Sequence, residues 1–437
     1  MKNGLSTLRD MRAFLVLSVT QGFSGLGSAM TNYALILWSY QQEGSALVTA
    51  LLTVCSYAPY VLMSIFAGAL TDRFNKKKIL LVCDALAAAC SVTVLVLLRG
   101  GGLQVWHLYL LNGLNGLMNT VQQPASDVTV TLLTPREHYQ QASAVNSFLN
   151  SCTNLLTPVL ATALMTLLGL EAVILFDLAT FAAAFLALMR LRIPQPPAPE
   201  KKERVLAAAR SGLRWLGSHR GILHLILFLA GINLTASMYN AALPALLLPR
   251  PDGEVLLGTV STVTGVTMLL GSVVASMWPR PRSRVRIICN TLLLSMCTEN
   301  LCLALGRSLP VWCVGAFLGW IAIPLMNANL STVMREGIPV EMQGRVWAAR
   351  NTLQFFTIPV GYLLGGALVD HVFEPMMARQ SPSGLMAALF GSGKGAGAAA
   401  LFMVLWLVGL ATCLVFRCDR HIRQLENQDQ FARGGKN

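Results

Sequence analysis

Apolar residues fall along this chain in long blocks, separated by short polar breaks. A helix needs roughly 20 apolar residues to cross a bilayer core. Twelve blocks approach that length, starting near Ala13, Ser45, Ile79, Leu108, Ala142, Leu170, Ile222, Leu256, Ile287, Leu309, Arg350 and Ala396. The fourth, fifth, tenth and eleventh are diluted by Asn, Gln and Thr. The pattern predicts an all-α membrane protein with 12 transmembrane helices. A membrane barrel would need short strands of alternating polarity, which the chain does not offer.

Composition agrees. Hydrophobic residues make up 54% of the 437 and charged residues only 12%, too apolar for a water-soluble domain. A net charge of +13 in a soluble protein would suggest nucleic acid, but here the cations sit between the apolar blocks and form no continuous face. No nucleic-acid partner is expected; the lipid bilayer is the partner. With the N-terminus inside, the cytoplasmic segments hold 28 Lys and Arg against five in the outer loops, namely Arg99, Arg250, Arg307, Arg379 and Lys394. Lys and Arg are retained on the cytoplasmic side, so both termini of a multi-pass membrane protein are expected there. The first block runs from Arg12 past Trp38 without a small-residue cleavage site, and so reads as a retained helix, not a signal peptide. Nine of the ten cysteines lie inside apolar blocks and Cys418 in a basic tail, which reads as packed thiols, not a disulfide scaffold.

The chain also repeats itself. Pro124, Pro135 and Pro158 recur as Pro324, Pro339 and Pro359, and Ile79 to Asp84 is echoed by Ile287 to Asn290. Two six-helix bundles related by duplication are the natural reading, over residues 1–192 and 221–417. A linker, 193–220, separates them, and a tail, 418–437, follows. The linker begins with a Pro-rich stretch and continues with Lys201, Lys202, Arg204, Arg210 and Arg214 among Leu206, Leu213 and Leu216. That spacing suits an amphipathic helix on an anionic membrane surface or a solvated basic connector.

After the second block comes Gly68-Ala69-Leu70-Thr71-Asp72-Arg73-Phe74-Asn75-Lys76-Lys77. This resembles the loop signature of the major facilitator superfamily, with Asn75 where glycine is common. Gln122-Gln123-Pro124-Ala125, Phe176 to Phe181, Gln343-Gly344-Arg345-Val346 and Phe373-Glu374-Pro375-Met376 resemble the macrolide-efflux-like branch of its drug/proton antiporters. The resemblance implies the major facilitator fold. It also implies a cytoplasmic gate in which Asp72 meets the start of the eleventh helix near Gly344 to Val346, Lys76 pairs with Asp127, and Gly68, Arg73 and Arg345 complete the set. An aspartate near a helix start is physically sensible, because the free N–H groups and the dipole there favour an anion. The remaining loop lysines follow from the positive-inside rule. Two departures weaken the case for proton exchange: the fifth helix keeps Pro158 without the antiporter glycines, and Gly27-Ser28 stands where relatives often have an acid after the glycine.

Intramembrane acids signal proton or cation chemistry, because a buried carboxylate costs several kcal/mol unless paired or protonated. The candidates are Asp84, Asp177 and Glu299, on the third, sixth and ninth helices, which the resemblance assigns to a scaffold away from the pathway. Asp84 and Glu299 are the candidate proton carriers, and Asp177 reads as a structural anchor. The inner helices carry amides instead. Asn112, Asn115, Asn119, Gln122 and Gln123 recur at helical spacing on the fourth helix, and Asn146, Asn150 and Asn154 on the fifth. Together with Tyr33, Asn233, Asn240, Asn327 and Gln354 they form the candidate substrate cavity; the alternative is amides that bond helix to helix.

No metal-ligand spacing, nucleophile elbow or phosphate loop is present, so the chain reads as neither an enzyme nor a cofactor protein. The expected function is secondary active export of a neutral or amphipathic, drug- or macrolide-like molecule by alternating access, with protons as the coupling ion to be tested and a monomer as the working unit. Alternatives on the same fold are a lysophospholipid flippase and a siderophore or peptide exporter.

Overall fold

A computed structural model describes residues 11–135, 139–194, 205–277, 281, 283–338, 340–381 and 384–425. Among them the chain is helical. Eleven helical stretches are long and apolar enough to cross a membrane. The helix Val105–Leu133 is 29 residues long, but its Asn and Gln residues leave it less apolar than those eleven. None of the ten cysteines is in a disulfide.

The chain divides into two compact units, residues 1–41 with 55–205 and residues 42–54 with 206–437. The first unit contains α1 (Arg12–Glu43, to Gln41), α2 (Ala46–Arg73, from Cys55), α3 (Lys76–Arg99), α4 (Val105–Leu133), α5 (Tyr139–Leu168) and α6 (Leu170–Arg190). Within it, α3 packs against α4 and α6, and α5 against α6. Glycine sets the closest approach: a Cβ at Gly116 of α4 would lie 2.1 Å from the Ser56 carbonyl oxygen of α2. Membrane helices without a hydrophobic force between them associate through such backbone contacts.

The loop between α2 and α3 explains two residues of the signature. Asn75 is the N-cap of α3, its side-chain oxygen accepting from the Lys78 N–H at 3.2 Å, a job glycine cannot do. Lys77 donates to the carbonyls of Met189 and Leu191 at 2.8 and 2.7 Å, closing the end of α6. The sequence reading gave Lys77 to the positive-inside rule alone; it has a specific partner as well.

The second unit begins with the first turns of α2 and continues with α7 (Val205–Ser218), α8 (Arg220–Leu247), α9 (Gly253–Met277) and α10 (Arg284–Leu305). The tenth apolar block, read as one run, is two helices, α11 (Leu309–Trp320) and α12 (Ile323–Gly337), broken at Ile321 and Ala322. Pro324 has no N–H for the Trp320 carbonyl and so interrupts the ladder. Gly271 of α9 lies over the break: a Cβ there would sit 2.3 Å from the Ile321 carbonyl oxygen. The eleventh block starts at Val340, well before Arg350, because residues 340–349 are too polar to read as membrane. It runs as α13 (Val340–Phe355), α14 (Thr357–Leu368), a π turn (Val369–Phe373) and α15 (Glu374–Ala378), followed by α16 (Leu385–Phe390) and α17 (Ala396–Cys418).

Packing in this unit centres on α8, which contacts α13, α14 and α17, and on α10, which contacts α11, α12 and α17. Leu216 of α7 is 1% exposed and belongs to the same buried cluster as Leu225, Ile288, Met334 and Ile422, with Trp215 and Leu425 packed against it. The linker helix is therefore docked through its apolar side. Asp370, in the π turn, accepts from the Ser45 hydroxyl at 2.5 Å and from the Ala46 and Leu47 N–H groups at 3.1 and 2.8 Å, capping the start of α2. Gly366 permits this, since a Cβ there would meet Leu47 Cα at 2.6 Å.

Candidate functional site

The first unit lines an open cavity of about 510 Å³ with α1, α3, α4, α5 and α6 and with Ser56 of α2. Its α4 wall follows from helical spacing: Asn112, Asn115, Asn119, Gln122 and Gln123 recur every three to four residues and all line it. Asn146 and Asn150 of α5 line it too, as do Gln21 and Asn32 of α1. Tyr33 and Asn154 are not among the lining residues. Asn233, Asn240, Asn327 and Gln354 lie in the second unit. There the Asn233 amide donates to the Gln354 carbonyl at 3.3 Å and the Asn240 amide to the Ala236 carbonyl at 2.9 Å, so these two bond to backbone. Gln354 is 6% exposed and accepts from Arg350 at 2.9 Å, while Asn327 is exposed.

Asp84 and Asp177, assigned by helix count to a scaffold away from the pathway, both line this cavity. Asp84 points from α3 and accepts from the Gln21 amide at 3.0 Å on Oδ2 and from the Gln122 amide at 2.7 Å on Oδ1. Asp177 accepts from the hydroxyls of Ser28 at 3.0 Å and Ser91 at 2.9 Å. It thus anchors α6 to α1 and α3 while also facing the cavity. Helix count gives an element its place but not which way each side chain on it turns.

Glu299 lies apart, in the second unit. Its Oε1 accepts from the Tyr239 hydroxyl at 2.6 Å and the Trp320 indole at 2.8 Å, and the residue is 4% exposed. Gly319 makes room, since a Cβ there would lie 2.7 Å from Glu299 Oε2. Trp320 is the last residue of α11, so the carboxylate holds the helix at its break.

Of the gate residues, Lys76 is 4% exposed with its ammonium 3.3 Å from the Phe74 carbonyl, and Asp127 lines the cavity and faces the Gln123 amide at 3.5 Å. Gly68, Asp72 and Arg73 end α2 and Arg345 lies in α13, but their side chains are outside the described residues. Sequence reasoning missed Asp370 and left Glu374 as a motif without a mechanism. Glu374 accepts from the Gly395 N–H at 2.9 Å, at the left-handed N-cap of α17. Its signal was present in the Phe-Glu-Pro-Met stretch, whereas Asp370 had none.

The comparisons agree with one another. The family model of the Major Facilitator Superfamily matches residues 17–362. The chain is 22% identical over 367 residues to macrolide efflux protein A of Streptococcus pyogenes, covering 82% of this chain and 90% of that one. It is 24% identical over 363 residues to the multidrug efflux pump Tap of Mycolicibacterium fortuitum, covering 79% and 87%. Among solved structures, a POT family transporter in complex with 5-aminolevulinic acid superimposes with a TM-score of 0.70 at 13% identity, over 96% of each chain. Such a likeness speaks to fold. The family and these efflux relatives are transporters, not enzymes. With its matched helices, its membrane-long spans and its efflux relatives, the chain belongs to the Major Facilitator Superfamily, a multi-pass membrane transporter of small molecules.

Proposed function

We propose that this transporter exports a neutral or amphipathic organic molecule by alternating access. The observation that carries the reading is the amide-lined cavity of about 510 Å³, within the size range of drug-sized ligand pockets. The efflux of macrolides and multiple drugs named for its relatives points the same way. Both termini lie on the cytoplasmic side in this reading, on the strength of 28 against five cations. Asp72 meets the first turns of α13, which hold Gly344 to Val346, in one state and releases them in the other, and Asp84 and Glu299 are the groups that would carry protons.

Efflux from proteoliposomes with an imposed pH gradient, screened across macrolides, dyes and lysolipids, tests the reading. Gradient-dependent loss of a macrolide or dye is expected; silence across the whole panel would remove it. In the same assay Asp72→Asn is expected to reduce transport while membrane insertion persists, and normal efflux by that variant would end the gate assignment.

A further inference from the structure

Three carboxylates line the cavity of the first unit, Asp84, Asp127 and Asp177, and among the described residues no Lys, Arg or His does. Asp84 and Asp177 are 6% and 4% exposed. Every donor that the described residues give them is neutral: two amides for Asp84 and two hydroxyls for Asp177. A carboxylate inside a membrane bundle is costly until a countercharge or a proton reaches it. Both oxygens of Asp84 accept hydrogen bonds, the arrangement that suits the ionised group, since a protonated carboxyl would turn one oxygen into a donor.

A second observation on the same wall points to a ligand. Ser18 of α1 is 7% exposed and lines the cavity, yet its hydroxyl has no hydrogen-bond partner among the described residues. Helical hydroxyls in membranes commonly bond back to the preceding turn, as Thr20 does to the Val16 carbonyl at 2.7 Å. The buried Asn115 amide oxygen, also on the cavity, is likewise unsatisfied. Leaving such an atom unpaired is costly, because it has given up water without a replacement. Ser18 lies one turn before Gln21, and Asn115 two turns before Gln122, the two residues whose amides hold Asp84. Both orphans can accept an N–H.

We propose that this cavity is an ammonium site, which takes the protonated amine of an amphipathic substrate, with Asp84 as the carboxylate that meets the charge. This rests on the export reading for its cargo but makes a separate claim about charge. Ser18 and Asn115 accept N–H groups beside the amine. The acids are stepped along the bundle. Asp127 lies beyond Gln122 toward the Lys76 end, and Ser91, which holds Asp177, is two turns past Asp84 on α3, about 10 Å. A cation entering from the Lys76 end therefore passes Asp127, Asp84 and Asp177 in turn. A metal ion suits the site less, because metals need several converging lone pairs, whereas the amides nearest Asp84 aim N–H groups at it.

The test uses full-length protein in nanodiscs, titrated calorimetrically at neutral pH with propranolol, a secondary amine, and with N-acetylpropranolol, the same body without the charge. Empty nanodiscs supply the blank. The amine is expected to bind about tenfold tighter or better, and Asp84→Asn to remove that preference. Ser18→Ala is expected to weaken the amine about threefold. Equal binding of the two compounds by the unmodified protein overturns the proposal, as does absence of amine binding or displacement of the amine by micromolar manganese chloride. The unmodified protein alone decides these outcomes, whatever the folding of the variants. Efflux without charge preference would sink the ammonium site and keep export; amine binding without efflux of any compound would do the reverse.

Discussion

Ser28 on α1 and Asp177 on α6 are joined, hydroxyl to carboxylate, at 3.0 Å, through the space that Gly27 leaves open. The resemblance led one to look for an acid just after this glycine on the first helix. Here the sixth helix delivers a carboxylate to the same place, and the serine receives it. A Cβ on Gly27 would lie 2.5 Å from Thr180 Oγ1 and 2.9 Å from Asp177 Cα, a backbone atom that cannot swing aside. Gly27→Ala is therefore expected to cost about 1–3 kcal/mol, and Ser28→Ala about 1 kcal/mol. Thermal unfolding in detergent checks both; a Gly27→Ala protein that melts with the parent would contradict the close approach.

Glu374 holds the start of α17 from a distance. Its carboxylate accepts the Gly395 N–H at 2.9 Å, and Gly397 lets the two backbones touch, since a Cβ there would lie 2.4 Å from the Glu374 nitrogen. Glu374→Ala removes a helix cap, with an expected loss of about 1–2 kcal/mol. Hydrogen exchange at the first turn of α17 is the direct readout, and protection there should fall before protection at the middle of the helix.

Trp320 and Tyr239 share one oxygen of Glu299, at 2.8 and 2.6 Å. Trp320→Phe and Tyr239→Phe each remove one donor to a buried acid, at about 1.5–3 kcal/mol apiece if the carboxylate is charged. Because the donors converge on one atom, the double variant should depart from the sum of the singles. Strict additivity in chemical unfolding would argue against a shared site.

Asp419 supplies a pH test outside the membrane spans. Burial alone would raise its carboxyl. Hydrogen bonds from the Ile422 N–H and His224, the charge on His224, and the His421 N–H outweigh that and hold it below the usual 3.8. A carboxyl lowered in the folded state contributes stability above its ordinary value and loses it as pH falls through the folded one. Asp419→Ala is expected to melt below the parent at neutral pH, with the gap closing as the pH falls through the carboxyl's lowered value. A gap that stays constant across that window would remove the charge from the account.

The chain announced its spans because membrane-long apolar blocks leave little choice of structure, and the α4 amide stripe was legible because helical spacing alone puts Asn112, Asn115 and Asn119 on one side. What stayed hidden was tertiary. That Asp84 turns toward Gln21 and Gln122, or that Lys77 reaches the end of α6, depends on neighbours far along the chain. The split of the tenth block was hidden for a different reason. Pro324 follows a strongly apolar run, and proline within a membrane helix is tolerated often enough that it does not by itself mark a break.

Gly271 over the Ile321 carbonyl has a mechanical consequence. A slide of α9 by one turn would bring Thr267 or Ala275, each with a Cβ, over that oxygen, so the glycine fixes the register of α9 against the α11–α12 pair. Any side chain at position 271 would therefore have to push the broken pair away from α9, and the seam would open at the very point where the tenth block changes direction.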